Sequence, residues 1–151
     1  MADTPRDIAE RMRQRLFQAD MAGFADLFAA NAVFEYPFEH PAWPAVIHGR
    51  DAIRDHLVDT RRYLTSLIEI TAFNTVVHET ADPEVLVLEQ EVAGVTKATG
   101  QPFRFASGVG ILTVRDGEVV RYRDYTNPLG SAAATGLLPE LLAGLAAQAA
   151  S

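Results

Sequence analysis

The sequence predicts an α+β fold in which a curved antiparallel sheet carries three N-terminal helices on its concave face. The prediction depends on a change of periodicity along the chain. Up to about residue 65, apolar residues recur at the spacing of amphipathic helices. From about Ser66 to Asn127 they alternate with polar residues, as they do in strands. Helices followed by a meander of strands are typical of the α+β class, and we expect residues 1–151 to form one domain.

The helices have recognisable start signals. Thr4 can cap the first helix, because Pro5 then takes the first helical position and Asp7 lies three residues after the cap. Asp20 is the predicted cap of a second, short helix. A third helix is predicted from about Gly49 to Tyr63, since its apolar residues form one stripe.

A short strand and a proline-rich loop separate the second and third helices. The strand is predicted over residues 32–36, and three prolines in residues 37–44 indicate an ordered loop or lid. Phe38 and Trp43 in this loop are candidate walls for a flat substrate, although loop aromatics often only anchor the loop. Glu35 is a candidate at the cavity mouth, and a surface carboxylate explains it equally well.

The second half of the chain predicts four long strands and a helical tail. Thr99-Gly100 and Asp116-Gly117 are turn signals, and the second is typical of a two-residue hairpin with positive φ. The tail from Ser131 is rich in alanine and leucine and predicts short helices. The four strands are predicted over residues 67–79, 84–98, 102–115 and 118–127.

The hairpin at Asp116-Gly117 sets the predicted register of the last two strands. It places Val109 opposite Asp124 and Ile111 opposite Tyr122, on the face that the helices cover. A carboxylate is therefore expected among apolar side chains. The same face carries the residues predicted to bind a substrate, which are Phe103, Phe105, Ser107, Val109 and Tyr122.

The third helix adds two polar groups to this interior. His56 and Thr60 lie one turn apart on its apolar stripe, so an imidazole, a hydroxyl and the Asp124 carboxylate point to one region. Desolvation raises the pKa of a carboxyl group, which can then exchange protons near neutral pH. A single inward histidine or aspartate is more often structural, for example bonded to a carbonyl or an arginine. The convergence of three such groups is what indicates catalysis.

Composition excludes several classes of function. The net charge of −7 disfavours binding to nucleic acid or to anionic membranes. There is no cysteine, and His40, His48 and His78 lack the short spacing of metal ligands, so no metal site is expected. The charged N-terminus lacks the apolar core of a signal peptide, which makes a cytoplasmic protein the expectation.

Three stretches resemble a known superfamily. Residues 23–38 (GFADLFAANAVFEYPF), 48–57 (HGRDAIRDHL) and 110–128 (GILTVRDGEVVRYRDYTNP) resemble the nuclear-transport-factor-2-like superfamily, and within it the SnoaL-like proteins. The resemblance covers nearly the whole chain. It implies a cone-shaped α+β barrel with a deep pocket between sheet and helices, and a homodimer built on the sheet.

A closer similarity is to the A/B proteins of phenazine biosynthesis, carried by residues 49–60, 79–89 and 123–139. It implies acid–base condensation of ketone-bearing cyclohexadiene acids without a cofactor. That family uses a histidine and a serine one turn apart on the third helix and a glutamate on the last strand. His56, Thr60 and Asp124 match these positions, with threonine for serine and aspartate for glutamate. The resemblance therefore implies the site but not the substrate.

Other enzymes of the superfamily match less well. The slot of the ketosteroid isomerase base is occupied here by Tyr36. The epoxide hydrolases of this fold need an Arg-x-Asp pair, and residues 104–106 (RFA) supply only the arginine. Both activities are therefore disfavoured by the sequence.

Three hypotheses about function remain open at the level of sequence. The leading one is a cofactor-independent isomerase, cyclase or condensing enzyme that acts on a ketone- or polyketide-like small molecule. The second is a non-catalytic ligand-binding or adaptor module, in which Arg104 or Arg50 neutralises Asp124 and apolar side chains fill the cavity. The third is a hydrolase, in which Glu89 or Glu91 helps Asp124 to hold a water.

Overall fold

The computed structural model describes residues 1–151 as five helices and six strands. The α+β class is confirmed, and so are the helices and the four long strands. One short strand, β2, was not predicted, and β1 begins four residues before the predicted start. The elements are α1 Pro5–Phe17, α2 Met21–Ala25, β1 Phe28–Glu35, β2 Val46–His48, α3 Arg50–Leu67, β3 Ile68–Glu79, β4 Val85–Thr96, β5 Pro102–Arg115, β6 Glu118–Thr126, α4 Pro128–Thr135 and α5 Leu138–Ala149.

Local capping explains why the first two helices begin where they do. Thr4 Oγ1 accepts from the backbone N–H of Asp7, and the Asp7 carboxylate accepts from the backbone N–H of Thr4, which completes a capping box. Asp20 accepts from the backbone N–H of Gly23 at 2.8 Å and starts α2 in the same way. No helix combines the length and hydrophobicity needed to cross a bilayer.

The sheet is mixed rather than purely antiparallel. Its strand order is β2-β1-β6-β5-β4-β3, and β1 runs parallel to β6, whereas the other neighbours are antiparallel. The predicted antiparallel sheet is correct for β3 to β6 and wrong at the pairing of β1 with β6. The sheet is also open, with β2 and β3 as its edges, so the barrel implied by the resemblance does not close.

A β-bulge corrects the predicted register of β5 and β6. The hairpin turn is the expected one, with φ of 52° at Asp116 and 78° at Gly117. Val114 pairs with Val119, but Thr113 pairs with Arg121, so one extra residue lies in β6.

Beyond that bulge every partner changes. Gly110 lies opposite Asp124, and Leu112 lies opposite Tyr122. Val109 and Ile111, the predicted partners, therefore project from the other face of β5, and Val109 is 37% exposed there.

A second bulge lies at Ser107. Gln90 of β4 pairs with Gly108 and Glu91 pairs with Ala106, which leaves Ser107 without a partner. Because a bulge shifts the alternation by one residue, the predicted inner face holds before Ser107 and fails after it. Phe105 is therefore inward as expected, whereas Val109 is not.

The core lies between the inner sheet face and the first three helices. Phe24, Phe28 and Phe34 form a chain of rings with centroids 5.6 and 6.2 Å apart, and Ile53 of α3 is fully buried. The outer face of the sheet carries ion pairs instead, such as Glu91–Arg104 and Glu35–Arg121, together with exposed valines. A site in this fold is therefore expected on the helical side of the sheet.

Candidate active site

An open cavity of about 850 Å³ lies between α3, the inner face of the sheet and the C-terminal helices. Its walls are largely apolar and aromatic, and its polar groups come from α3, from β4, β5 and β6, from the proline-rich loop and from the C-terminal helices. The size and the few convergent polar groups are typical of a small-molecule site. The polar side chains that the chemistry can use are His56, Thr60, Gln90, Ser107 and Asp124.

The Asp124 carboxyl group enters this cavity from β6 without a partner. No hydrogen-bond donor and no cation offsets its desolvation, and burial raises its pKa from 3.8 to about 7. Its cross-strand neighbour is Gly110, where an added Cβ would lie 2.3 Å from Tyr122 Oη. Because Gly110 has no side chain, the Tyr122 ring can occupy the space beside it.

His56 contacts an aromatic cluster formed by Tyr36 and Trp43. Its Nε2 lies 2.8 Å from the hydroxyl of Tyr36, and the two rings meet edge to face. The Trp43 ring lies 4.9 Å from that of Tyr36 and 6.1 Å from that of His56. Burial lowers the pKa of His56, although the nearby Asp59 opposes this effect. The imidazole is therefore expected to be neutral at pH 7.

Gln90 and Ser107 line the same cavity as Asp124. Gln90 Nε2 donates to Tyr122 Oη at 3.3 Å, and burial together with the charge of Asp124 raises the pKa of Tyr122. Ser107 Oγ is buried and has no hydrogen-bond partner in the chain. A buried hydroxyl without a partner costs free energy unless a bound molecule or water satisfies it.

Seven of the predicted site residues line this one cavity. The three candidates for catalysis do so from α3 and β6, and four of the predicted binding residues join them from β5, β6 and the proline-rich loop. These seven are His56, Thr60 and Asp124, with Trp43, Phe105, Ser107 and Tyr122.

Four predicted binding residues lie elsewhere. Phe103 packs on Phe105, with a centroid distance of 5.8 Å, and does not line the cavity. Val109 is on the outer face because of the bulge at Ser107. Phe38 is 64% exposed and rests on the edge of Tyr125. Glu35 forms its ion pair with Arg121 on the outer face, and that hydrogen bond lowers its pKa.

Sequence reasoning missed Tyr36, Gln90 and the C-terminal helices as parts of the site. Tyr36 alternates with the buried Phe34, so a signal for an inward hydroxyl was present in the first strand. Gln90 lies between Glu89 and Glu91, and only these two carboxylates were considered as partners of Asp124. The contribution of α4 and α5, through residues such as Ala132 and Leu141, had no local signal, because it depends on how the tail folds back.

The contacts predicted by the two competing hypotheses do not occur. Arg104 is paired with Glu91, and Arg50 donates to the carbonyl of Phe28, so neither neutralises Asp124. Glu89 bonds His78 on the outer face, which takes both proposed second carboxylates away from the cavity. No group of three or more histidine and carboxylate side chains is arranged to hold a metal ion.

Comparison with known proteins identifies relatives of the whole fold. The family model described as "SnoaL-like domain" matches residues 9–122. An uncharacterised PhzA/B-like protein of Pseudomonas aeruginosa is 30% identical over 131 residues, which is 87% of this chain and 89% of that protein.

Solved structures give the same result. A Bacillus subtilis protein provisionally named an isomerase superposes with a TM-score of 0.73 and is 31% identical, over 86% of this chain and 91% of that one. A phenazine biosynthesis-related protein of Pseudomonas aeruginosa shares the fold at 19% identity and a TM-score of 0.56, with coverage of 86% and 83%. The family match ends just before Asp124, so the role of this residue must be argued from its own surroundings.

Proposed function

Because this chain belongs to the SnoaL-like domain family, we propose that it is an enzyme of the isomerase, cyclase or condensing type that moves a proton on a ketone-bearing, ring-containing small molecule. The similarity to the phenazine A/B proteins supports chemistry that needs no cofactor. The shape and the apolar walls of the 850 Å³ cavity suit a substrate of one to a few rings.

One observation carries the proposal: a carboxyl group without a protein partner, with a pKa of about 7, lies in an apolar cavity. A general base works best when its pKa is near the working pH, because it is then both sufficiently ionised and sufficiently basic. A structural aspartate would be expected to have an arginine, a lysine or a backbone N–H beside it. Asp124 has none of these, so no group of the protein compensates its desolvation, and a bound substrate can do so.

The roles of the other groups follow from their positions. Asp124 takes a proton from the carbon next to a carbonyl, and the electron pair of that C–H bond becomes an enolate. His56 donates an N–H to the developing oxyanion, and Thr60, one turn further along α3, orients the same oxygen. Positioned acid–base groups contribute about 10²- to 10⁴-fold to a rate.

Return of the proton decides which reaction results. If the substrate also has a carbon–carbon double bond next to the deprotonated carbon, the enolate is a conjugated dienolate, and return of the proton from Asp124 to its far carbon gives an isomer. If the enolate carbon instead attacks a second carbonyl, a carbon–carbon bond forms and the new alkoxide takes the proton, which gives a cyclisation or a condensation. Ser107, whose buried hydroxyl has no partner, is placed to hydrogen-bond a polar group of the bound ring.

The predicted homodimer and cytoplasmic location remain proposals. The first is supported by the resemblance to the SnoaL-like proteins. Light scattering of the purified protein would measure the subunit number, and a monomer at micromolar concentration would contradict the dimer.

Proton exchange gives a test that does not require knowledge of the full reaction. A panel of cyclic ketones and diketones in D₂O is incubated with the protein, and loss of the α-proton signals is followed by NMR. We expect exchange above background for at least one class, and a fall of at least 10²-fold with Asp124→Asn. Asp55→Asn is the matched control, because Asp55 is exposed on the outer side of α3. Unchanged exchange with Asp124→Asn would refute the assignment, and binding without any exchange would support the non-catalytic module instead.

A further inference from the structure

The tautomer of His56 is set by a contact that the acid–base proposal does not use. Tyr36 is only 4% exposed, and its ring is fixed between Phe34 and Trp43, at centroid distances of 5.0 and 4.9 Å. The one hydrogen bond of its hydroxyl is with His56 Nε2, at 2.8 Å. The contact joins the residue that directly follows β1 to α3, so it also fixes the plane of the imidazole ring.

The buried phenol proton has a single acceptor within reach. Buried O–H groups are almost always paired, and His56 Nε2 is the only partner that the Tyr36 hydroxyl has. If His56 donated from Nε2 instead, the Tyr36 proton would be left in the apolar cluster with no acceptor. The arrangement that satisfies both residues has Tyr36 donating and Nε2 accepting.

The protonation states agree with this direction. Burial, together with the negative charge of Asp124, raises the pKa of Tyr36, so the phenol keeps its proton. Burial lowers the pKa of His56, and Asp59 opposes this only in part, so the ring is neutral and one of its nitrogens has a free electron pair. That nitrogen is then Nε2, and the ring proton is on Nδ1.

We propose that Tyr36 is a positioning residue that holds His56 as the neutral Nδ1–H tautomer, so that an imidazole N–H is presented to the cavity. His56 Nδ1 bonds no group of the chain and is not among the buried unpartnered atoms, and the residue lines the cavity. His56 in this state donates a hydrogen bond and cannot serve as a base through Nδ1. This consequence rests on the proposed function, in which Asp124 is left as the only proton acceptor.

The tautomer can be measured on the resting protein by ¹⁵N NMR. Long-range proton–nitrogen spectra of uniformly labelled protein, recorded at about pH 8.5, distinguish protonated from unprotonated ring nitrogens, and His56→Gln identifies the signals of this residue. We expect a protonated Nδ1 and an unprotonated Nε2. With Tyr36→Phe, the ratio of Nδ1–H to Nε2–H tautomers should fall by about tenfold, the value of one hydrogen bond.

Tyr122→Phe is the matched control, because the Tyr122 hydroxyl bonds Gln90 rather than His56. It removes the same hydroxyl group from another buried tyrosine and should leave the tautomer ratio unchanged, while circular dichroism checks that both variants fold. An Nε2–H tautomer in the unmodified protein, or an unchanged ratio in Tyr36→Phe, would overturn the inference.

The two proposals fail separately. Loss of proton exchange in Asp124→Asn together with an Nε2–H tautomer would overturn only the role of Tyr36. Retained exchange in Asp124→Asn together with an Nδ1–H tautomer would overturn only the proposed function of Asp124.

Discussion

Replacing Asp124 by asparagine should stabilise the protein at alkaline pH and have little effect in acid. The carboxyl group has no partner in the folded protein, so burial penalises its ionised form. Asparagine has a similar shape and is neutral at every pH, which makes Asp124→Asn a close copy of the protonated state. The variant therefore removes the penalty and leaves the packing in place.

The magnitude follows from the change in pKa. A rise from 3.8 to about 7 corresponds to about 4 kcal/mol, at about 1.36 kcal/mol for each pKa unit. This is an upper limit, because the group faces an open cavity that water can enter. Since the folded state keeps its proton between pH 3.8 and about 7 while the unfolded state loses it, the unfolding free energy falls as pH rises through this range. The full penalty applies above about pH 7.

Urea denaturation at several pH values from about 4 to 8.5 measures the effect. The difference in unfolding free energy between Asp124→Asn and the unmodified protein should be near zero at the acid end and should reach a few kcal/mol in favour of the variant at the alkaline end. Other titrating groups cancel in this difference. Asp55→Asn should show no such trend, because Asp55 is exposed.

Two results would contradict the reasoning. A difference that does not change with pH would mean that the Asp124 pKa is not raised by folding. A variant less stable than the unmodified protein at pH 8 would mean that the carboxylate has a stabilising partner after all.

Two further substitutions test the polar part of the cavity. Gly110→Ala should lower the unfolding free energy by about 1–3 kcal/mol, because the added Cβ would lie 2.3 Å from Tyr122 Oη and must displace that ring. Gly100→Ala is the control and should cost only about 1 kcal/mol, because nothing lies within 4 Å of its added Cβ although its φ is +70°. Equal losses of stability in thermal denaturation would argue against the close approach at Gly110. Ser107→Ala should raise the unfolding free energy by about 1 kcal/mol, because it removes a buried hydroxyl that has no hydrogen-bond partner. The same variant should bind ligand more weakly in calorimetry. A clear loss of stability would show that the hydroxyl already has a hydrogen-bond partner.

The local elements of this fold could be predicted because their signals are local. The capping box at Thr4 and the hairpin at Asp116-Gly117 both depend on residues within a few positions of one another. The stripe of α3 placed His56 and Thr60 on the cavity side for the same reason, since a helix face follows from spacing alone. Asp124 was found by the same kind of reasoning, because alternation along β6 put it on the face of Tyr122.

Features that join distant parts of the chain could not be predicted in this way. Only the folded chain decides that β1 pairs in parallel with β6, and that α4 and α5 fold back over the cavity. The contact between Tyr36 and His56 also belongs to this group, because it depends on how α3 packs on β1.

The β-bulges show where prediction from strand alternation stops and tertiary packing decides which face a residue takes. Alternation determined which residues of β5 share a face, but one extra residue reverses every assignment beyond it, and this is why Val109 was placed wrongly while Phe105 was not. The sequence by itself determined the residue types of the site and the elements that carry them. The tertiary structure decided which of them meet, because strand register is settled by packing across the sheet, where Gly110 and the Tyr122 ring must fit together.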